Sequence, residues 1–517
     1  MQVEDFVELS ARRFPEKTAL VCGVQRLSYR EIAEHSNRLA HGLIAAGIRR
    51  GDRVAVYLDN SVEAVLSVFG ILKAGAVFMM VNPTTKVEKL TYVLNNSRAR
   101  ALITQHQKAR DIQSWWSLAP HLDTVLIVGN EGATPEGGQS RAVSWSKLMA
   151  EHGRAIQTPP RQTIDIDLAA LIYTSGSTGN PKGVVLTHLN MVAAATSITT
   201  YLENTPDDII LNVLPLSFDY GLYQVLMAFK FGGTVVLERS FTYHHAILEK
   251  LMEERVTGFP IVPTISAILL QMDLTKYRFP SLRYITNTGA ALPTQHIAKL
   301  RQLFPHTRVY SMFGLTECKR VSYLPPEQVD ARPTSVGKAM PNVEAYIVNE
   351  QGQRLPPGEV GELVVRGSNV MKGYWELPEE TARMLRPGPV PGERVLHTGD
   401  LFRMDEEGYL YWVDRKDDII KSRGEKVSPK EVENVLYGLE GVAMAAVIGV
   451  PDEVLGQAIK AFVTLQEGSR LTEKDVLRHC TQHLEEYMVP KLVEIRENLP
   501  RTPTGKIDKR ELAARTE

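Results

Sequence analysis

The run Thr174-Ser175-Gly176-Ser177-Thr178-Gly179-Asn180-Pro181-Lys182-Gly183 has the make-up of a loop that wraps phosphates. Glycines without a Cβ let the backbone turn tightly and approach a ligand closely. Four hydroxyls and exposed N–H groups donate to anionic oxygens, and Lys182 adds a flexible point charge. This is not the P-loop, which carries Gly-Lys followed by Ser or Thr and opens a helix. Here Lys182 precedes Gly183, and the flanks 168–173 and 184–187 both read as strands. A flexible Ser/Gly hairpin is the alternative. The Pro-Lys-Gly ending between apolar strands favours the nucleotide loop.

Four more segments carry reactive side chains in order along the chain: Tyr310-Ser-Met-Phe-Gly-Leu-Thr-Glu317, Leu396-His-Thr-Gly-Asp400, Asp414-Arg415-Lys-Asp417-Asp-Ile-Ile-Lys421 and Pro503-Thr-Gly-Lys506. Together with the loop they resemble the AMP-forming adenylating superfamily of acyl-CoA synthetases, luciferases and peptide-synthetase adenylation domains. The resemblance covers nearly the whole chain. It implies that ATP transfers AMP to a carboxylic acid, that Mg²⁺ assists, and that the acyl group then passes to the pantetheine thiol of CoA or of a carrier protein. The residues Thr174, Ser175, Gly176, Ser177, Thr178, Gly179 and Lys182 would hold phosphates, and Glu317 would bind Mg²⁺. Phe313 would stack on adenine beside Thr316, in a position where the family usually has Tyr. Asp400 would accept the ribose hydroxyls, and Arg415 would add a cation near ribose and α-phosphate. Lys506 would bridge the carboxylate and the α-phosphate. Asp417 would be the hinge of a swinging C-terminal domain. Asp414 stands where the family more often has Gly.

Phe218 and Asp219, within Leu214-Pro-Leu-Ser-Phe-Asp-Tyr-Gly221, resemble the aromatic-Asp pair that peptide-synthetase domains use for a substrate amino group. Gly289 falls in the same acid-binding region by that resemblance. A buried carboxylate beside an apolar pocket needs a partner, and an ammonium supplies one. Asp219 capping a helix that begins near Tyr220 is the competing reading. So the acid is an amino acid, or a fatty or aryl acid recognised without an amino group. Lys319-Arg320 reads as a solvated pair, and Cys318 as a packing residue. Adjacent His244 and His245 do not share a helix face, which argues against a metal site. A non-catalytic nucleotide-binding homologue is the other class of function. Intact Lys182, Glu317, Asp400 and Lys506 argue against it.

The bulk composition fits a folded enzyme: 44% hydrophobic and 23% charged residues, with a formal net charge of −1. That balance offers no basic field for nucleic acid. Cys22, Cys318 and Cys480 lie far apart, form no CxxC pair, and suit a reducing, cytoplasmic setting. The apolar stretch 64–81 carries Lys73, Gly70 and Gly75; it reads as a helix ending near Gly75 and a strand over 76–81, not as a membrane span.

The elements that must position these residues alternate. Ser28 with Glu31 forms a capping box before a helix to about Ala46, then come a strand over 53–58 and a helix over 62–74. Such alternation predicts an α/β fold: a large N-terminal domain of layered, mostly parallel sheets with helices. The stretch 386–392 reads as a surface loop. Beyond Asp414, Ser428-Pro-Lys-Glu431 starts a helix, followed by strands over 442–450 and 459–465, a helix over 473–484 and a strand over 492–495. This predicts a small mobile α+β domain over 415–517, set against an adenylation domain over 1–414.

Overall fold

A computed structural model describes residues 1–108, 118–129, 141–174, 181–289, 292–416, 418, 420–422, 425–452, 456–484, 488–502 and 505–514. Among them the strands form four sheets. One is eight-stranded, in the order Gly373–Tyr374, Lys182–Thr187, Leu168–Thr174, Val77–Met80, Arg53–Tyr57, Ala101–Gln105, Thr124–Val128 and Arg141–Ser144. Its first two joins are antiparallel and the rest parallel.

The second sheet is nine-stranded. Its parallel centre runs Arg308–Phe313, Tyr284–Asn287, Gly258–Ile261, Ile209–Asn212, Thr234–Leu237 and Thr18–Cys22. Short antiparallel strands flank it at both edges. Strands such as Val77–Met80 and Gly258–Ile261 are buried at every residue, as expected of parallel strands covered on both faces.

Helices Tyr29–Ala45 and Val62–Lys73 pack into the core beside these sheets. Ser28 and Glu31 make the expected capping box, and Gly75, at φ +77, turns the chain after the second helix into Val77–Met80. Val62–Lys73 is buried on nearly all sides, which explains its apolar run. Its buried charge, Lys73, is satisfied inside the fold by Glu8, Ser36 and Asn37. Among the described residues no helix is long and apolar enough to cross a membrane.

A third, antiparallel sheet carries Arg394–Met404 between Val360–Gly367 and Leu410–Arg415. The stretch expected as loop from 386 is corrected at its start: Leu385–Pro387 pairs with Arg394–Met404 as a short edge strand, an arrangement that tolerates Pro. The fourth sheet belongs to the small C-terminal part. It is built on the long antiparallel pair Val442–Asp452 and Gly456–Leu465, with its own apolar cluster around Val432, Leu436, Val447 and Val463. Helix Pro429–Tyr437 starts with Ser428 accepting from the Glu431 N–H and Pro at its first turn. Tyr437 on that helix meets His296 of the large part edge-on, ring centroids 6.1 Å apart. The two parts therefore meet at this ring pair.

Candidate functional site

Thr174 ends one strand and Lys182 begins the next, and the two are register partners across an antiparallel pair. Ser175, Gly176, Ser177, Thr178 and Gly179 lie outside the described residues. The mouth of the loop is nevertheless fixed by paired strands, as the apolar flanks predicted. At its rim Lys182 Nζ lies 3.4 Å from Glu380 Oε2 and 5.6 Å from the Tyr374 ring centroid. The Tyr374 hydroxyl donates to Glu317 Oε1 at 2.7 Å. One tyrosine thus links the phosphate loop to the expected cation ligand.

Tyr374 and Glu380 were not foreseen from the sequence. Their setting has no diagnostic spacing, and their value comes from a short strand, Gly373–Tyr374, laid beside Lys182–Thr187. Thr381 Oγ1 accepts from the Tyr374 N–H at 2.9 Å and anchors that strand.

Phe313 closes the strand Arg308–Phe313 and lies edge-on to Phe402, centroids 4.8 Å apart. Half-buried Thr316 and Glu317 follow in the next turn. The Glu317 carbonyl accepts from the Met371 N–H at 2.7 Å, which fixes the main chain, and Oε2 has no partner among the described residues. A single carboxylate with one open oxygen suits Mg²⁺, which takes one or two carboxylates and completes its shell with phosphate and water. The residues fit that cation.

Asp400 is 4% exposed in the middle of Arg394–Met404. Its Oδ1 accepts from Trp412 Nε1 at 3.3 Å and faces Arg415 Nε at 3.4 Å, while Oδ2 has no hydrogen-bond partner among the described residues. Burial raises its pKa to about 6 against the pull of Arg415. A buried carboxylate oxygen left open costs free energy that a ligand donor would recover. A sugar diol has that chemistry.

Asp414, beside Arg415, is buried, accepts from Ser428 Oγ at 2.8 Å, and lies 3.4 Å from the Lys430 N–H. It ties the last strand of the third sheet to the first turn of Pro429–Tyr437. Asp417 lies outside the described residues.

Lys506 follows Gly505, which has φ +82, in a turn closed by Thr502 N–H to Lys506 O at 2.8 Å. The side chain keeps solvent access yet reaches into a cleft crowded by protein. That crowding lowers its pKa, while Asp219, Asp400 and Glu317 pull it back up and Arg415 pushes it down. Four charged groups from four separate motifs converge on one ammonium. A Cβ built on Gly289, φ +88, would lie 3.8 Å from Lys506 Cε and 3.3 Å from Phe218 Cζ. Phe218 and Gly289 therefore border the lysine tip.

Two sequence expectations need correction here. Asp219 is not a cap: it is the first residue of helix Asp219–Phe231, the cap position is Phe218, and no side chain caps the helix. Its carboxylate turns instead to Lys319, whose Nζ lies 3.3 Å from Oδ2 and donates to the Asp219 carbonyl at 2.9 Å. Nor are Lys319 and Arg320 solvated, being 4% and 1% exposed. The backbone explains this. Lys319 takes a left-handed φ of +62, and the chain folds back over Gly314, where a Cβ would come within 2.2 Å of the Lys319 carbonyl. Burial lowers the Lys319 pKa to about 8 despite Asp219. Cys318 is fully buried, as a packing residue should be. His244 and His245 turn to different partners, Phe241 and the Tyr277 hydroxyl.

Comparison with known proteins gives the family. Residues 7–375 match the family model described as AMP-binding enzyme, and residues 431–506 match the AMP-binding enzyme C-terminal domain. A long-chain-fatty-acid–CoA ligase of Bacillus subtilis (strain 168) is 33% identical, the match covering 97% of this chain and 92% of the relative. A feruloyl-CoA synthase of an Amycolatopsis species is 36% identical over 98% of this chain and 97% of its own. The crystal structure of ATP-bound MatB from Rhodopseudomonas palustris superposes with a TM-score of 0.87 at 29% identity, covering 100% of this chain and 99% of that one.

Proposed function

The chain belongs to the AMP-binding enzyme family and is an AMP-forming acid–CoA ligase; we propose how its residues share that reaction. In the first step a carboxylate oxygen attacks the α-phosphorus of ATP, and the bond to the β-phosphate breaks with pyrophosphate leaving. In the second, the thiol sulfur attacks the acyl carbon, AMP leaves with its electron pair, and the thiol proton passes to solvent. The first step concentrates negative charge, so the protein must place cations and donors where that charge grows.

Thr174, Ser175, Gly176, Ser177, Thr178, Gly179 and Lys182 hold the β- and γ-phosphates. Phe313 and Thr316 border adenine, Asp400 takes the ribose diol on its open oxygen, and Arg415 faces the ribose and α-phosphate. Lys506 bridges the attacking carboxylate and the α-phosphate. Glu317, aligned by Tyr374, holds Mg²⁺, which when bound supplies Lewis-acid stabilisation of phosphate charge. The boundary between the two parts lies at 414/415, and Asp417 is the hinge about which the C-terminal part turns between steps.

Phe218, Asp219 and Gly289 receive the acid. Asp219 keeps one oxygen on Lys319, and the other has no partner among the described residues. That open oxygen supports an amino acid as the acid, its ammonium meeting Asp219. The acceptor thiol is that of CoA; a carrier protein's phosphopantetheine offers the same thiol, and an acceptor assay separates the two. Free Cys22, Cys318 and Cys480 suit the reducing cytoplasm.

The convergence of Asp219, Asp400 and Glu317 on Lys506 carries this reading. Carboxylate-dependent pyrophosphate–ATP exchange tests it. Exchange that needs an added acid is expected, and none with fatty, aryl or amino acids would overturn it.

A further inference from the structure

Lys506, Gly289 and Phe218 border the point where the carboxylate of the acid would sit. Phe218 and Asp219 start helix Asp219–Phe231, so the first turn of that helix and what packs against it bound the space open to the acyl group. Strand Tyr284–Asn287 and the buried turn 318–320 are both tied to that first turn.

Tyr220 packs between the helix and that strand. Its ring lies edge-on to Phe218, centroids 6.4 Å apart, next to the aromatic that borders the lysine tip. Its hydroxyl lies 2.6 Å from Thr286 Oγ1 and donates to the Thr286 carbonyl at 2.8 Å, pinning helix to strand. The side chain is 1% exposed. Swinging it aside would strand a buried hydroxyl and its partners, a cost that holds it in place.

Lys319 also packs against that first turn. Its ammonium sits 4.3 Å from the Tyr223 ring centroid and 5.6 Å from that of Tyr220, while also bonded to the Asp219 carbonyl. Cation–π contact and a charged hydrogen bond both oppose its displacement by a hydrocarbon. An alkyl chain entering there would bury Asp219 against methylenes with its counter-charge removed, which is unfavourable.

Resting on the ligase reading above, we propose that Tyr220 and Lys319 are specificity-determining residues that close the acid site behind Phe218 and Asp219, so that the chain activates compact, polar acids and excludes long alkyl chains. This separates it from the relative named for long-chain fatty acids, although the two align over nearly their full lengths. Similarity across the whole chain reports the shared adenylation chemistry, whereas acid length is set by a few side chains on one helix and one turn.

The test is pyrophosphate–ATP exchange by the full chain over a graded series: glycine, alanine, acetate, butyrate, hexanoate, dodecanoate and hexadecanoate. The expected profile falls at least a hundredfold in kcat/KM from the best compact acid to dodecanoate. In Tyr220→Ala the ratio of dodecanoate to compact-acid turnover should rise at least tenfold, while Tyr220→Phe, which keeps the ring, should leave the cutoff in place. Should Tyr220→Ala fail to fold, Tyr220→Leu and the unmodified chain's own profile still decide. Dodecanoate turned over as well as the compact acids, or an unchanged profile in a folded Tyr220→Ala, would overturn the proposal while leaving the ligase reading intact. Exchange with no acid of any length is a different result, and would remove both.

Discussion

Asp400 and Lys506 face the same cleft from opposite kinds of backbone. Asp400 sits within an eleven-residue strand flanked by hydrogen-bonded neighbours on both sides, nearly sealed from water and with one oxygen left open. Lys506 rides on a glycine turn of the small part, accessible and held by a few local bonds. The strand carboxylate is placed before any ligand arrives, and folding absorbs the cost of its burial. The lysine sits on the part proposed to turn. In the proposed reading, the group that recognises the nucleotide is fixed, and the group that acts in the transition state is on the movable side.

Lys506→Ala should sharpen that contrast most. Adenylate formation should fall about a thousandfold, roughly 4 kcal/mol of transition-state stabilisation, while ATP affinity changes by only a few-fold. Thiol transfer from preformed adenylate should persist. Single-turnover assays of the two steps check this, and equal loss in both would break the division between fixed and movable groups. Asp400→Asn should do the opposite and weaken ATP binding by about 1.5–3 kcal/mol, roughly ten- to 150-fold, as read by calorimetry.

Acidification should reach the same carboxylate more gently. Burial holds the Asp400 pKa at about 6, so protonation below that pH converts an acceptor into a donor and ATP affinity should fall, by up to about tenfold per pH unit. Asp400→Asn should flatten the dependence. The stability sign is separate: a carboxyl whose folded pKa lies above its unfolded value makes the fold less stable as pH rises between the two, here from about 4 to 6. Urea midpoints across that window should drop in the native chain and drop less in Asp400→Asn. The smallest effect should come from Tyr374→Phe, which frees Glu317 to rotate. A few-fold rise in the Mg²⁺ concentration needed for half-maximal exchange is expected, and no change would mean that the Tyr374–Glu317 bond is idle.

What the sequence disclosed follows the same division. The strand pair that flanks residues 175–181, the capping box at Ser28 and the alternating elements were readable because local chemistry dictates them: apolar flanks make strands, and a hydroxyl with a glutamate three residues on starts a helix. The convergence of Lys506 with Asp219 and Asp400 was readable only through the resemblance, since no local pattern announces contacts across hundreds of residues. Tyr374 and Glu380 escaped notice because a two-residue strand has no periodicity. Lys319 and Arg320 were misread for a physical reason. Adjacent cations usually seek water, and only the left-handed turn at Lys319, allowed by the bare Gly314, folds them inside. Asp219 looked like a cap because short acidic residues often precede helices, but the helix here starts one residue earlier than a cap would require.

The bond between Ser428 and Asp414 bears on tempo. Any large turn of the small part about the segment after Arg415 has to release that buried carboxylate from the first turn of Pro429–Tyr437. A pivot free of such a bond would let the part drift through a continuum of poses. With it, the proposed motion would gain a detent, a step whose height is set in part by one charged hydrogen bond, about 1.5–3 kcal/mol. In that reading an Asp at a position where glycine is common in the family would act less as a ligand than as an escapement, timing the passage from the first step to the second.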